Sequence, residues 1–530
     1  MPEPRRSAML ALALVLTACT STPTPIASSG PSATASEAPT PSPSPTPTEA
    51  PTAAPTAAPT PSPASVTVEL ALVADVPDAR LGLSSAQLRT ALPAALVPCG
   101  LTDLRLDGRP LALPAAACVP ADLLTDRIHG QAGRLALLPP GLVGPRVKVL
   151  QLEGRDLFGG PSIRREPYPL TATATGLPTA WTTFDAAQVR TVDSTGDTCP
   201  DRGPAYQAIV LHKGWPWTLD GGFAHYTGTY MDTSFSGPAG KGWPVVLAKR
   251  TGTAGAVRRL IADSDVTVDD FECPMLAGFT YHATGTVFNV DPRVGPLLAS
   301  AGVTVVTLGS NHITDAGPRG VRRTLQILDA AHIAHTGAGL DLQAALAPAV
   351  VDVRGVRFAF VGWDDIAGSA GAGPGRPGVA PLTTADVKTS LARARSQADV
   401  VFAMPQWGWP EYHNGFTKQE LAQRAMFFAD GADHVLGSGT HWASAVSITP
   451  AAGGTDHFVI GSHGNFLFGQ AWSRQTMEGV IVELTFYGPT LVQARLHPYV
   501  VLDEAQPNLI DPTTDGRYVL DQVWSVSQLP

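Results

Sequence analysis

The stretch GVTVVTLGSNHITDAG, residues 302–317, decides the fold class of this 530-residue chain. Its first half, residues 302–308, has the length and β-branched composition of a buried strand. A polar loop follows at once, and residues 319–331 then carry apolar side chains at helical spacing. A strand, a polar loop and a helix in this order are typical of an α/β fold, whose functional groups collect where strands end in loops.

The same arrangement recurs between residues 205 and 503, where strand patterns alternate with helical ones. Further strands end in polar stretches, which are Asp270 to Glu272, Gln406 to Tyr412, Gly437 to His441 and Ser462 to Phe466. Carboxylate, amide and imidazole groups are the ligands that divalent metals such as Mn, Zn or Fe use in proteins. We therefore expect these loops to meet at one edge of a sheet and to form a metal site.

As a set, these loops resemble the motifs of the CapA-type poly-γ-glutamate (capsule) synthesis family, within the calcineurin-like metallophosphatase superfamily. Asp270-Phe-Glu272-Cys-Pro is similar to the family's N-L-E-x-P. Ser310-Asn311-His312, with Asp315 following, is similar to its A-N-N-H-x-x-D. The later motifs keep the family's order and are Thr336 to Gly339, Gln406 to Tyr412, Gly431 to His441 and Ser462 to Phe466.

The resemblance implies a metallophosphatase-like sandwich of two mixed sheets flanked by helices, with two divalent metals (Mn, Zn or Fe) held by its loops; the departures described next leave one metal, or none, as the alternatives. The metal ligands that it implies are Asp220, Glu272, Asn311 and His441; the catalytic residues are Asn311, His312 and Asp315; the substrate contacts are Gln406, Trp407, Glu411, His463 and Asn465. A bound metal would lower the pKa of a water molecule, and His312 would protonate a leaving group.

Departures from the family pattern leave the function open. Gln406 stands where the family has histidine, and Ser438 and Gly439 replace two further histidines. For the first ligand, Asp220 and the position of Pro216 are alternatives. A neutral amide is a weaker ligand for a transition metal than imidazole. The chain is therefore either a metal-dependent hydrolase that makes or processes an envelope polymer, or a protein that binds such a polymer without cleaving it. A solute receptor is a third interpretation.

The N-terminal segment is typical of a bacterial lipoprotein. Residues 1–19 combine Arg5 and Arg6 with a short apolar run that ends in Leu-Thr-Ala-Cys at Cys19. Acyl chains on Cys19 would anchor an extracytoplasmic protein to the bacterial cell membrane; an ordinary cleaved signal and a short membrane anchor are the alternatives. Residues 20–65 are rich in Pro, Thr and Ser and contain no large side chain to bury, so they predict a disordered tether.

The folded remainder divides by composition into two domains. Residues 66–204 have no aromatic residue before Phe158 and predict a small α/β or α+β accessory domain, whereas residues 205–530 form the metallophosphatase-like domain. Four cysteines remain after Cys19, an even number that favours two disulfides outside the cytoplasm. Of the three pairings we predict Cys99–Cys118 and Cys199–Cys273, with free buried thiols as the alternative.

Charge limits the partners that the chain can have. A net charge of −9 excludes a generally basic, nucleic-acid-coating protein, so no nucleic-acid partner is expected. The family resemblance implies an anionic envelope polymer, or its precursor, as the partner. No apolar stretch after the N-terminal run is long enough for a transmembrane helix.

Overall fold

The structure is a computed structural model that describes residues 65–115, 118–175, 183–237, 240–279, 281, 283–451 and 455–529. The predicted signal segment, Cys19 and all but the last residue of the predicted tether lie outside these ranges. Residues 62–530 form one compact unit. Within the described ranges no helix has both the length and the apolar character needed to cross a lipid bilayer.

The N-terminal part of the unit is built from short strands and two short helices, Ser85–Ala91 and Leu124–Ile128. Its strands are β1 (Ser65–Glu69), β2 (Ala71–Asp75), β3 (Gly82–Leu83), β4 (Leu101–Leu106), β5 (Arg109–Pro110), β6 (Leu135–Leu138), β7 (Val147–Val149), β8 (Gln151–Leu152) and β9 (Leu170–Thr175). β1, β9, β4 and β5 form one antiparallel sheet, and β6, β2 and β7 form another. The disulfide Cys99–Cys118 confirms the first predicted pairing.

Eighteen further strands follow. They are β10 (Val189–Cys199), β11 (Phe223–Asp232), β12 (Trp243–Thr251), β13 (Val266–Phe271), β14 (Val305–Thr307), β15 (Ala334–Thr336), β16 (Ala338–Gly339), β17 (Ala349–Val353), β18 (Val356–Asp364), β19 (Gly378–Val379), β20 (Val400–Gln406), β21 (His434–Leu436), β22 (Val446–Pro450), β23 (Asp456–Ile460), β24 (Asn465–Phe468), β25 (Glu478–Tyr487), β26 (Thr490–Leu502) and β27 (Gln506–Ile510). Two mixed sheets result. The larger has the order β12-β11-β27-β26-β25-β10-β13-β14-β15, with β24 beside β10, and the smaller has the order β17-β18-β20-β21-β23-β22.

The two sheets pack face to face, because side chains alternate across each strand. On β18, Phe358 and Phe360 belong to the core that the smaller sheet shares with Val192 and Val482 of the larger sheet. Ala359, between those two phenylalanines, points to the opposite face and packs with residues of the outer helices. The predicted two-sheet sandwich flanked by helices is confirmed.

Helices flank the two sheets, most of them on the outer faces, whereas Val519, Leu520 and Val523 of the last helix pack into the core between the sheets. The helices are Gly203–Ala205, Trp215–Leu219, Ala256–Ala262, Val294–Ser300, Gly317–Ala330, Leu342–Ala345, Thr384–Arg395, Lys418–Ala429, Arg474–Met477 and Arg517–Ser525. The strand and helix predicted from residues 302–331 are β14 and Gly317–Ala330. That helix buries Val321 and Leu328 in the core that it shares with the larger sheet.

The domain boundary predicted after residue 204 lies C-terminal to β10, the first strand in the chain that belongs to the larger sheet. β10 begins at Val189 and pairs with β13, β24 and β25. All eleven of its residues are buried although the strand contains two aspartates and several threonines. The polar composition of β10 therefore does not indicate, in the sequence, that this is a central strand of the sheet. In the structure both of its faces are buried.

A buried ion-pair cluster joins the N-terminal part to this sheet. The Arg495 guanidinium on β26 is 1% exposed and contacts the Asp156 carboxylate at 2.5 Å and Glu483 at 3.2 Å. It also donates a hydrogen bond to the carbonyl oxygen of Val149 on β7. His497 contacts the other carboxylate oxygen of Glu483 at 3.0 Å.

Candidate metal centre

Three buried side chains from three different segments meet at one end of the larger sheet. One ligand atom from each of Asp197, Glu272 and His441 lies within 4.8 Å of the other two. Asp197 is near the end of β10, Glu272 directly follows β13, and His441 lies in the loop between β21 and β22. β10 and β13 run parallel, so their C-terminal ends, and the carboxylates there, share one edge.

Close backbone packing holds Asp197 in place. A Cβ atom at Gly196 would lie only 1.9 Å from the carbonyl oxygen of Gly464, so no other residue fits before the aspartate. The backbone N–H of Asp197 donates to that same carbonyl at 3.0 Å, and the N–H of Glu272 donates to the Thr198 carbonyl at 3.0 Å. A disulfide between Cys199 and Cys273 joins the two strand ends covalently and confirms the second predicted pairing.

The Glu272 carboxylate is buried without a compensating hydrogen bond, whereas Asp197 contacts His441. Glu272 has no solvent exposure, and neither of its carboxylate oxygens has a hydrogen-bond partner in the described part of the chain. Burial, reinforced by the nearby Asp197 and Asp270, holds the pKa of Glu272 well above its ordinary value. Unpaired buried carboxylates are costly, and a bound cation is one way of stabilising them.

His441 is held in an unusual conformation at the centre of the group. Its φ angle is 57°, in the left-handed region, and such strained backbone concentrates at functional sites. The Nδ1 atom lies 2.9 Å from Oδ2 of Asp197 and 2.9 Å from Oδ1 of Asn465. Burial acts to lower the pKa of His441, but the adjacent Asp197 carboxylate raises it above its usual value.

A cavity of about 590 Å³ opens beside this group. Its lining includes His441, Asn311, His312 and Glu411. Burial raises the pKa of the Glu411 carboxyl. His441 is the member of the group that lines this cavity, and a concave site of this size beside buried polar groups suits the binding of a substrate.

His312 is positioned by its own loop. Its Nδ1 atom lies 3.0 Å from Oδ2 of Asp315, and the same carboxylate oxygen accepts a hydrogen bond from the Phe288 N–H at 2.7 Å. The Phe288 ring meets the imidazole edge-on at 4.6 Å between centroids. Since Nδ1 is occupied by Asp315, the Nε2 atom is left for exchange of a proton in the cavity.

The residues predicted as substrate contacts are mostly buried behind the cavity. Glu411 lines the cavity, but Gln406 does not, and its Oε1 accepts from Ser438 Oγ at 2.9 Å. Trp407 is a core residue whose indole N–H donates to the Gly461 carbonyl at 2.6 Å. Asn465 and His463 are also buried, and Asn465 positions His441.

Asp197, and not Asp220, lies beside Glu272 and His441 in the candidate metal group, as we call these three residues. Asp220 is 39% exposed, contacts Arg258 at 3.0 Å and is not a member of the group of Asp197, Glu272 and His441. The polar composition of β10 hides Asp197 from a search for apolar strands that end in a carboxylate. The sequence signal that could have found it is a Gly-Asp pair at the end of a run rich in valine and threonine.

Comparison with known proteins agrees with these motifs. Residues 193–470, over half of the chain, match the family model described as bacterial capsule synthesis protein PGA_cap. A capsule biosynthesis protein CapA from Bacillus anthracis is 28% identical over 251 residues, which are 45% of this chain and 59% of that protein. A PGA biosynthesis protein CapA from Bacillus subtilis is 27% identical over 231 residues, 43% of this chain and 59% of that protein.

The chain thus spans less than two thirds of the length of either relative. Among solved structures, it resembles the calcineurin-like phosphoesterase YfkN from Bacillus subtilis at a TM-score of 0.30 and 11% identity, covering 63% of this chain and 98% of that one. The match across residues 193–470 confirms the family that the loop motifs predicted. This chain belongs to the PGA_cap family of bacterial capsule synthesis proteins.

Proposed function

We propose that this chain is a metal-dependent hydrolase of the bacterial cell envelope that takes part in making or processing a capsule polymer. The observation that supports this most strongly is the buried group of Asp197, Glu272 and His441 beside an open cavity. Relatives that share this region are named for capsule and PGA biosynthesis. The lipoprotein-like segment that ends at Cys19 supports attachment to the outer face of the membrane.

The chemistry of the donor set fits one divalent metal. Two carboxylates and an imidazole suit Mn, Zn or Fe, and the unpaired oxygens of Glu272 are the observation that favours a cation here. Asp197, Glu272 and His441 would hold the ion, with Asn311 on the cavity side as a further oxygen donor. Bound there, it would supply Lewis acidity and a water of lowered pKa.

The residues around the group have separate tasks in this proposal. His312 exchanges a proton at Nε2, because Asp315 occupies Nδ1 and fixes the tautomer. Asn465 contacts Nδ1 of His441 and orients that ring. Glu411 binds substrate from the cavity wall, where its carboxyl group hydrogen-bonds to a polar group of the substrate.

A non-catalytic polymer-binding protein is the second candidate, and one contact favours it. Gln406 and Ser438, which stand at two of the family's histidine positions, hydrogen-bond to each other at 2.9 Å. A Cβ atom at Gly439, the third such position, would lie 2.9 Å from the Gln406 amide. These three positions therefore offer no imidazole to a second metal.

Metal binding and turnover test the proposal together. The purified protein is stripped with chelator, and Mn²⁺, Zn²⁺ or Fe²⁺ is titrated by calorimetry. Hydrolysis of bis(p-nitrophenyl) phosphate, an activated diester, is then followed with each metal. We expect one metal per chain and chelator-sensitive turnover, both lost in Glu272→Gln.

Asp220→Asn is the matched control, because it removes a carboxylate that the sequence also suggested as a ligand but that lies outside the group. It should bind metal and turn over substrate as the wild type does. A chain that binds no metal would refute the proposal. A chain that binds metal without any hydrolysis would leave the polymer-binding candidate.

A further inference from the structure

Four aromatic side chains line the cavity beside the metal group, and we call them the aromatic rim: Phe235, Trp409, Tyr412 and Trp472. The ring centroids of Phe235 and Trp472 are 5.2 Å apart, and those of Tyr412 and Trp472 are 5.0 Å apart. Trp243 supports Trp472 from behind at 5.6 Å. Phe235, Trp472 and Tyr412 thus form a connected aromatic surface, Trp409 lines the same cavity, and the metal chemistry proposed above gives none of the four a role.

Two members of the rim are exposed to an extent that packing does not explain. Trp409 is 64% exposed and Phe235 is 54% exposed. Large apolar side chains held at the mouth of a polar cavity mark a surface that contacts a ligand. Tyr412 has a φ of 60°, which adds a strained residue at the same place.

Outside the proposed metal position and the two lining histidines, His312 and His441, the cavity wall offers little positive charge to a polyanion. Among the described lining residues, Arg202 is the single arginine or lysine, whereas Asp232, Glu411 and Glu504 are three carboxylates. The Arg202 guanidinium is already engaged, lying 4.5 Å over the ring of Phe288. A chain of carboxylates or phosphates would meet like charges along this wall without a row of cations to compensate.

Neutral hydrogen-bonding groups complete the lining. Ser234, Thr286, Asn311 and Gln470 offer hydroxyl and amide groups next to the rim. A sugar ring presents an apolar C–H face, which stacks on aromatic rings, and a hydroxyl edge, which bonds to amides, hydroxyls and carboxylates. A cationic ligand is the other alternative, but it would need only carboxylates and aromatic ring faces. The hydroxyl and amide groups of this lining suit a ligand that carries hydroxyl groups.

We infer that the polymer bound in this cavity is a neutral glycan rather than a polyanion, an inference that rests on the proposed function of the site. In this arrangement the aromatic rim stacks consecutive sugar rings across the mouth, and Glu411 and Gln470 bond to their hydroxyl groups. This replaces the anionic polymer that the family resemblance implied. It involves no new chemical step, because it concerns recognition only.

The test measures binding without metal, so that it is independent of turnover. The chelator-treated full chain is titrated with three probes of similar length, namely a neutral N-acetylglucosamine tetramer, a short poly-γ-glutamate and tetralysine. Tryptophan fluorescence and calorimetry report binding. We expect saturable binding of the neutral oligosaccharide only, little changed by added salt.

Trp409→Ala should weaken this binding by about tenfold or more, since exposed aromatic anchors dominate such contacts. Phe223→Ala is the matched control, because Phe223 is an exposed aromatic residue at the far end of the β11–β12 hairpin and lines a different cavity. It should bind the oligosaccharide as the wild type does.

Preferential binding of poly-γ-glutamate or of tetralysine would overturn the inference, as would the absence of oligosaccharide binding at millimolar concentration or equal effects of the two variants. These results are distinct from failure of the proposed function. A chain that binds the oligosaccharide but no metal keeps the inference and loses the hydrolase. A chain that hydrolyses the diester but binds only poly-γ-glutamate does the reverse.

Discussion

Replacing Arg495 by methionine should destabilise the whole unit, because this side chain neutralises two buried carboxylates at once. Asp156 loses two hydrogen bonds from the guanidinium, at 2.5 and 3.1 Å. Glu483 loses one at 3.2 Å but keeps His497 at 3.0 Å. The main cost is therefore the unpaired Asp156 charge, and breaking a buried pair in this way costs about 3–5 kcal/mol.

Guanidinium unfolding followed by tryptophan fluorescence and circular dichroism measures this loss for Arg495→Met. The second variant, Asp156→Asn, also breaks the pair, and the double variant leaves no unpaired charge at Asp156. The double variant should therefore lose about 1–3 kcal/mol less than the sum of the single losses. A loss below about 1 kcal/mol for Arg495→Met, or full additivity, would refute the reasoning.

Three further predictions concern pH, covalent structure and catalysis. Burial lowers the pKa of His434 to about 3. Below about pH 6.5 the unfolded chain therefore takes up a proton at His434 that the folded chain excludes, and the free energy of unfolding falls by up to ~1.4 kcal/mol per pH unit on acidification. His434→Asn should reduce this dependence of the free energy of unfolding on pH. An unchanged slope would contradict the prediction. Replacing Cys199 and Cys273 by serine should lower the free energy of unfolding by about 4 kcal/mol, because the two cysteines are 74 residues apart in the chain. Calorimetry should also show weaker metal binding in this variant. Removing the N-terminal disulfide should leave the metal affinity unchanged. His312→Ala should lower turnover of an alkyl phosphodiester, whose leaving alkoxide needs a proton, by about 10²–10⁴ and turnover of the activated diester by much less, with a smaller loss in Asp315→Asn and metal affinity retained in both; unchanged turnover of the alkyl diester in His312→Ala would exclude its role as the acid.

The sequence predicted those parts of the fold whose side chains repeat. β14 and the helix Gly317–Ala330 carry clear strand and helix periods, so both were expected near their observed places. β10 was missed because periodic burial is not visible in a strand enclosed on both faces, where Asp193, Ser194 and Asp197 are buried with the valines.

The candidate site could be predicted only in part, for a related reason. Recognisable strands precede four of the predicted site residues, which are Glu272, Asn311, His312 and His441. The structure brings His441 close to Glu272, and Asn311 and His312 line the same cavity as His441. The aromatic rim comes from segments far apart in the chain, and no local pattern joins Phe235 to Trp472. Whether Trp407 faces the cavity or the core is decided by the packing of the outer helices, which one strand does not reveal.

The disulfide at the ends of β10 and β13 makes the metal affinity of the site depend on the redox state of the compartment that holds the chain. Cytoplasmic thiols are kept reduced, so a newly made chain would carry Asp197 and Glu272 on two strand ends joined by backbone hydrogen bonds alone. Oxidation after export would lock those ends together. The reduced precursor would therefore bind the metal ions of the cytoplasm more weakly. Its full metal affinity would develop only after export and oxidation.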